Sequence, residues 1–146
     1  MDEALLAAYR ATDYRVRLAR GGYAVIRIDQ PLPLELQPLA QALSWGFITA
    51  WNPRSESTSR ANNRLAQRAL LAHLRALPET AAVWPGVGVA GDGRWQEPSL
   101  WVIGPTPNAL DALAHRFDQF GYVHGDGTSQ ARLRLLPVAG ALTGHV

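Results

Sequence analysis

The residues best suited to chemistry fall in two short stretches. Residues 49–64 gather Thr49, Trp51, Asn52, Arg54, Ser55, Asn63 and Arg64 around an Asn52-Pro53 step, and residues 95–99 gather Trp95, Glu97 and Ser99. The first is a binding set. Hydroxyls and amides offer neutral hydrogen bonds, guanidinium groups fork onto carboxylates or phosphates, and an indole offers a face for stacking. The second is an acid–base set. Trp95, Glu97 and Ser99 alternate, so they share one face of an extended chain, and a carboxylate beside tryptophan can have its pKa raised into the range useful for proton transfer. The competing reading pairs Glu97 with a loop arginine as a structural salt bridge.

Other chemistries lack their residues. The absence of cysteine removes disulfides, thiolate metal sites and a cysteine nucleophile. His73, His115, His124 and His145 form no pair at metal-ligand spacing on one helix, so no metal is expected. His73 reads as a hydrogen-bonded core histidine and His124 as a solvated strand end. Gly86, Gly88 and Gly91 have the spacing of a dinucleotide fingerprint, but that motif needs a helix to start at the glycines. The following "DGRWQEPSLWV" reads instead as a turn and a strand, and no cofactor is expected. There is no Gly-x-Ser-x-Gly nucleophile elbow.

At 146 residues the chain reads as a single domain, 1–146, with a tail at about 138–146 of weak structural preference. The net charge of +2 gives no support to a general nucleic-acid-coating role, so nucleic acid is not the favoured partner. Every basic residue is arginine, and between Arg54 and Arg75 five arginines face the single acid Glu56. "MDEALLAAYR" is acidic and lacks a cleavage motif, and no apolar run is long enough to cross a bilayer. A cytoplasmic protein with no membrane association is expected.

These residues need elements to position them. Residues 2–10 suit a short helix. "YRVRLARGGYAVIRI" alternates on both sides of Gly21-Gly22 and predicts a β-hairpin, with Tyr14, Val16 and Leu18 on one face and Arg15 and Arg17 on the other, and Ala24, Ile26 and Ile28 alternating with Tyr23, Val25 and Arg27 across the turn. "PLPLELQPLAQAL" predicts a helix of about ten residues from Pro33. Residues 45–51 are a nearly continuous apolar strand, so both its faces should be covered. A helix from about Ser59 to Leu77 follows, capped by Ser57, Thr58 or Ser59, with Ala61, Leu65, Ala69, Leu70, Ala72 and Leu77 on its apolar arc and Arg60, Arg64, Arg68 and Arg75 opposite. Strands near 80–84, 99–104, 120–124 and 130–136 and a helix at 107–118 complete the pattern. The order predicts an α+β fold, a single-domain sandwich of a mixed β-sheet with three main helices, in which 23–51 forms a right-handed βαβ unit.

"TAWNPRS" (49–55), Asn63, "WQEPSLWVIG" (95–104), "RFDQFGYVHGD" (116–126) and "YRATDYRV" (9–16) together resemble a bacterial family catalogued as domain of unknown function 3293. The resemblance implies that Trp51, Asn52, Pro53, Ser55, Trp95, Glu97 and Gln119 converge, and brings no activity, substrate or cofactor. Asn62 and Asn63 remain alternatives for the amide that serves the site.

The leading functional expectation is a domain that binds a small anionic or nucleotide-like ligand at the 49–64 joint. Thr49, Asn52, Ser55 and Asn63 would supply neutral hydrogen bonds, Arg54 and Arg64 the charge, and Trp51 or Trp95 the stacking surface. One alternative is an enzyme using Glu97 as general acid or base in the same cleft. The other is an interaction module using the arginine face of helix 59–77.

Overall fold

The computed structural model describes residues 3–137. The tail 138–146, with His145, lies outside the described residues. Within them are helices α1 (Glu3–Ala11), α2 (Gln37–Ala40), α3 (Arg60–Ala76) and α4 (Pro107–Arg116). The strands are β1 (Asp13–Arg17), β2 (Tyr23–Ile26), β3 (Ser44–Ile48), β4 (Ala82–Val89), β5 (Gln96–Ile103), β6 (Gly121–Asp126) and β7 (Arg132–Leu135). The α+β class is as expected.

One sheet runs in the order β2-β1-β4-β5-β3-β6-β7. Every pairing is antiparallel, where a mixed sheet was expected. The 23–51 segment is not a βαβ unit, because β1, β4 and β5 lie between β2 and β3. A crossover needs a substantial connecting element, and the helix expected from Pro33 shrinks to the four residues of α2. The true crossovers lie further on. β3 and β4 run the same way on either side of β5 and are joined by α3, while β5 and β6 run the same way on either side of β3 and are joined by α4. These two interlocked split βαβ units give residues 44–126 a ferredoxin-like strand order. Right-handed crossovers starting from oppositely directed strands put both helices on the same face. Accordingly, Leu70 and Leu74 of α3 and Leu110, Leu113 and Ala114 of α4 share one cluster with Ile48, Leu100 and Val102.

The other face is concave. Tyr14, Val16, Ala24 and Ile26, alternating as the hairpin pattern requires, meet Trp45, Phe47, Trp101 and Ile103 there. Leu32, Leu36 and Ala40 cap this core from the segment after β2. The sheet curls far enough for its two margins to touch: Asp29 N–H donates to the Ala131 carbonyl at 2.8 Å, Ala131 N–H to that of Gln30 at 2.9 Å, and Arg132 pairs with Asp29 at 2.7 Å. β3 is internal between β5 and β6, as its apolar run demanded. No helix among the described residues is long and apolar enough to cross a membrane.

The glycines of "GVGVAG" serve packing. Gly86 and Gly88 lie within β4 and Gly91 follows it, with no helix after them. A Cβ on Gly86 would sit 2.7 Å from the Arg15 carbonyl oxygen and 2.9 Å from Phe47 Cε2, whereas one on Gly88 would meet nothing closer than Thr12 Cγ2 at 3.6 Å. Gly86→Ala should therefore cost about 1–3 kcal/mol. Gly88→Ala should stay within about 0.5 kcal/mol of the parent, a contrast that parallel urea melts would measure.

Candidate functional site

The chain leaves β3 through a strained joint. Thr49 Oγ1 donates to the Pro98 carbonyl at 2.8 Å and accepts from Trp51 N–H at 3.0 Å, tying the first step to β5. A 3-10 turn, Pro53–Ser55, follows, with Asn52, Arg54 and Ser55 at φ of 46°, 57° and 60°. Asparagine tolerates the left-handed region, but arginine and serine pay on the order of 1 kcal/mol or more there. The surroundings hold them in place. Asn63, 3 % exposed on α3, accepts from Asn52 N–H at 2.8 Å and donates to Asn52 Oδ1 at 2.8 Å. Gln67 Oε1, one turn further along, accepts from Ala50 N–H at 2.9 Å. Arg54 N–H donates to the Asp118 carbonyl at 2.7 Å, and Gln119 Nε2 to that of Trp51 at 3.2 Å.

These contacts settle the phase of α3. Ser59 caps it, accepting from Asn62 N–H at 3.0 Å. The buried residues are Asn63, Leu70 and Leu74, while Leu65, expected on the apolar arc, is 64 % exposed. The helix is turned so that two amide side chains reach the joint, which an apolar periodicity does not reveal. Asn62 is exposed and bonds only to the capping turn, at Thr58 Oγ1 and Ser59 Oγ. Asn63 is therefore the amide that serves the joint.

Beside the joint, on the concave side of the sheet, α1 covers a pocket of about 440 Å³. Of the sequence-derived residues it is lined by Thr49, Asn52, Ser55, Trp95 and Glu97, together with Gln119. Trp51 and Arg64 line a different groove, on the opposite face of β5. Arg54 lines neither; its exposed guanidinium lies 3.9 Å from the Asp118 carboxylate. Tyr9, Thr12 and Tyr14, which sequence reasoning did not assign to a site, form the wall contributed by α1 and β1. Their signal was the "YRATDYRV" stretch and the inward parity of Tyr14.

Glu97 dominates the electrostatics. It is half-buried, faces the pocket from β5 opposite Gly88, and is ion-paired to no arginine among the described residues. Burial with no compensating cation pushes its pKa up from the ordinary 4.5 to about 7. Burial and then the Glu97 charge raise Tyr9 to about 12, and burial, followed by Tyr9, drives Tyr14 upward as well, so both phenols stay protonated. Tyr14 Oη donates to the Tyr9 carbonyl at 2.6 Å and its ring meets Phe47 edge-on. Asn52 Nδ2 has no partner among the described residues, because Asn63 and Thr58 N–H both bond its oxygen. The pocket thus offers one carboxyl with a raised pKa, neutral donors and acceptors, and the Trp95 and Phe47 rings, with no arginine or histidine among the described residues of its lining.

The histidines lie elsewhere. His73 is half-buried and edge-on to Phe117 at 6.0 Å, and His124 is half-buried within β6 instead of at a solvated strand end. Among the described residues no group of three or more His, Cys, Asp or Glu is placed to hold a metal ion.

The two adjacent asparagines give a direct test. Asn63→Ala removes both clamps and leaves Asn52 N–H without a partner, and should cost about 2–3 kcal/mol in a denaturant melt. Asn62→Ala, at an exposed position, should cost no more than about 0.5 kcal/mol.

Comparison with the curated proteins and with the solved structures found no match. A family match does exist. It runs from the end of β3 through α3, β4, β5 and α4 to the residue before β6, and so takes in the joint, Glu97 and Gln119 but not the Tyr9–Tyr14 wall. Residues 48–120, half of the chain, match the family described as Protein of unknown function (DUF3293), and the chain belongs to that family.

Proposed function

We propose that the protein is an enzyme in which Glu97 exchanges a proton with a small neutral or cationic substrate held in the α1-covered pocket. The observation that carries this reading is a half-buried carboxyl in the pocket lining with no arginine beside it among the described residues, an environment that pushes its pKa up to about 7. A structural glutamate at a joint so rich in arginine would be paired. An unpaired one that is partly buried is costly, and a pKa near the working pH is what a general acid or base needs. Asn52, Tyr9 and Gln119 line the same pocket and bring neutral polar groups able to orient a substrate. An anionic substrate would meet Glu97 without a counter-charge, so the anion-binding expectation finds no support in this pocket. The substrate best matched is polar and uncharged or amine-bearing, of a size suited to about 440 Å³.

The test is a titration of the Glu97 side-chain carboxyl by NMR, followed by a screen of neutral ester, amide and amine substrates across pH. The expected midpoint lies near 7, and any turnover found should inflect there and vanish in Glu97→Gln. A midpoint near 4.5 would overturn the proposal.

The same shift has a consequence for stability. Because the folded pKa is raised above the unfolded value of 4.5, the associated stability is fully present below about pH 4.5 and is lost as pH rises through about 7. The loss is at most about 3 kcal/mol, from 1.36 kcal/mol per pKa unit. Glu97→Gln should lose this pH-dependent component, so that it gains on the parent protein in thermal melts at pH 8 relative to pH 4.5.

A further inference from the structure

On the opposite face of β5 from Glu97 lies a groove of about 570 Å³ between α3 and the β4–β5 hairpin. Its apolar lining comes from Leu71, Val87, Pro98 and Leu100, with the half-buried Trp51 from the joint. Arg60, Arg64 and Arg68 line its α3 side. They recur every four residues, so their Cα atoms advance in steps of about 6 Å and span about 12 Å along the helix. All three are exposed, and none has an ion-pair or hydrogen-bond partner among the described residues. Guanidinium groups of one sign, evenly spaced above an apolar lining with an indole, are complementary to an elongated anion that also carries flat apolar faces.

We infer that this groove binds a short run of single-stranded nucleic acid, its phosphates on Arg60, Arg64 and Arg68 and its bases against Trp51 and the apolar lining. Single strands are held by this combination of a cationic track and a stacking surface. An acidic peptide fits less well. β4 and β5 are both paired on each side, so the sheet here offers a peptide no free backbone edge, and the peptide's own N–H and C=O groups would lie unpaired over apolar side chains. The modest overall charge of +2 is no obstacle, because the positive charge is local to α3. Since the groove and the Glu97 pocket lie on opposite faces of β5, the inference stands apart from the proposed enzymatic role.

The experiment is fluorescence anisotropy with labelled oligothymidylate and oligouridylate, titrated with the full chain at several salt concentrations. Either strand, or both, should bind, and the logarithm of the association constant should fall with the logarithm of salt at a slope of about −2, as three single-strand phosphate contacts require. Replacing Arg60, Arg64 and Arg68 together by Gln should weaken binding at least tenfold and flatten the slope. Arg75→Gln, on the same helix but outside the groove, should leave both nearly unchanged. The three arginines are exposed, so the thermal midpoint of the triple variant should match the parent's and show that it is folded. No binding at low salt, binding indifferent to the triple substitution, or arginine-dependent binding of polyglutamate in place of the oligonucleotides would each overturn the inference.

Discussion

Two hydrogen bonds between the Asn63 side chain and Asn52 organise the half of the molecule that carries the candidate site. The central strand β3 ends where the chain must turn sharply into α3, and it does so through left-handed conformations that arginine and serine rarely adopt. Such a path persists only where the surroundings over-determine it. Here a buried amide satisfies both the N–H and the side-chain oxygen of Asn52, and Gln67, Asp118 and Gln119 hold the residues on either side. The same contacts fix the rotation of α3, and with it the direction in which the arginines point.

The pleat of β5 then separates two kinds of chemistry. Glu97 and Ser99 face the concave side, where α1 covers the pocket and no arginine among the described residues lines it, so partial burial makes the carboxyl a weaker acid. Pro98 and Leu100 face the other way, toward α3, and help line the arginine groove. A one-residue shift in the register of β5 would exchange the two sets, which is why the pairing of β5 with both β3 and β4 matters to the site as much as to the fold.

Partly exposed ionic and polar contacts elsewhere tie elements together away from both surfaces. Arg134 grips Asp111 through two hydrogen bonds of 2.7 and 2.6 Å, and Tyr122 Oη adds a third at 2.7 Å, fastening α4 to β6 and β7. The Arg134 hydrogen bonds hold the Asp111 carboxyl below its usual range. Arg134 and Asp111 thus pair with each other, whereas Glu97 and Arg60, Arg64 and Arg68 of α3 have no ion-pair partner among the described residues.

Local pattern along the chain was enough to specify several elements. Alternation around Gly21-Gly22 produced the hairpin with its inward Tyr14 and Val16, the apolar run at 45–51 specified an internal strand, and the lack of a helix after Gly91 removed the dinucleotide reading. It also located the Asn52 joint and Glu97, since an amide at a turn and a carboxylate between aromatic and hydroxyl neighbours are local signals. The remainder followed from contacts between segments far apart in the chain. Strand order depends on which segments lie between paired strands, so an expected mixed sheet became an antiparallel one with split crossovers. The rotation of α3 was set by polar contacts from Asn63 and Gln67, which run against the apolar periodicity. Whether Arg54 would neutralise Glu97 depended on long-range geometry: Arg54 lies outside the pocket, its guanidinium 3.9 Å from Asp118, and Glu97 has no ion-pair partner among the described residues.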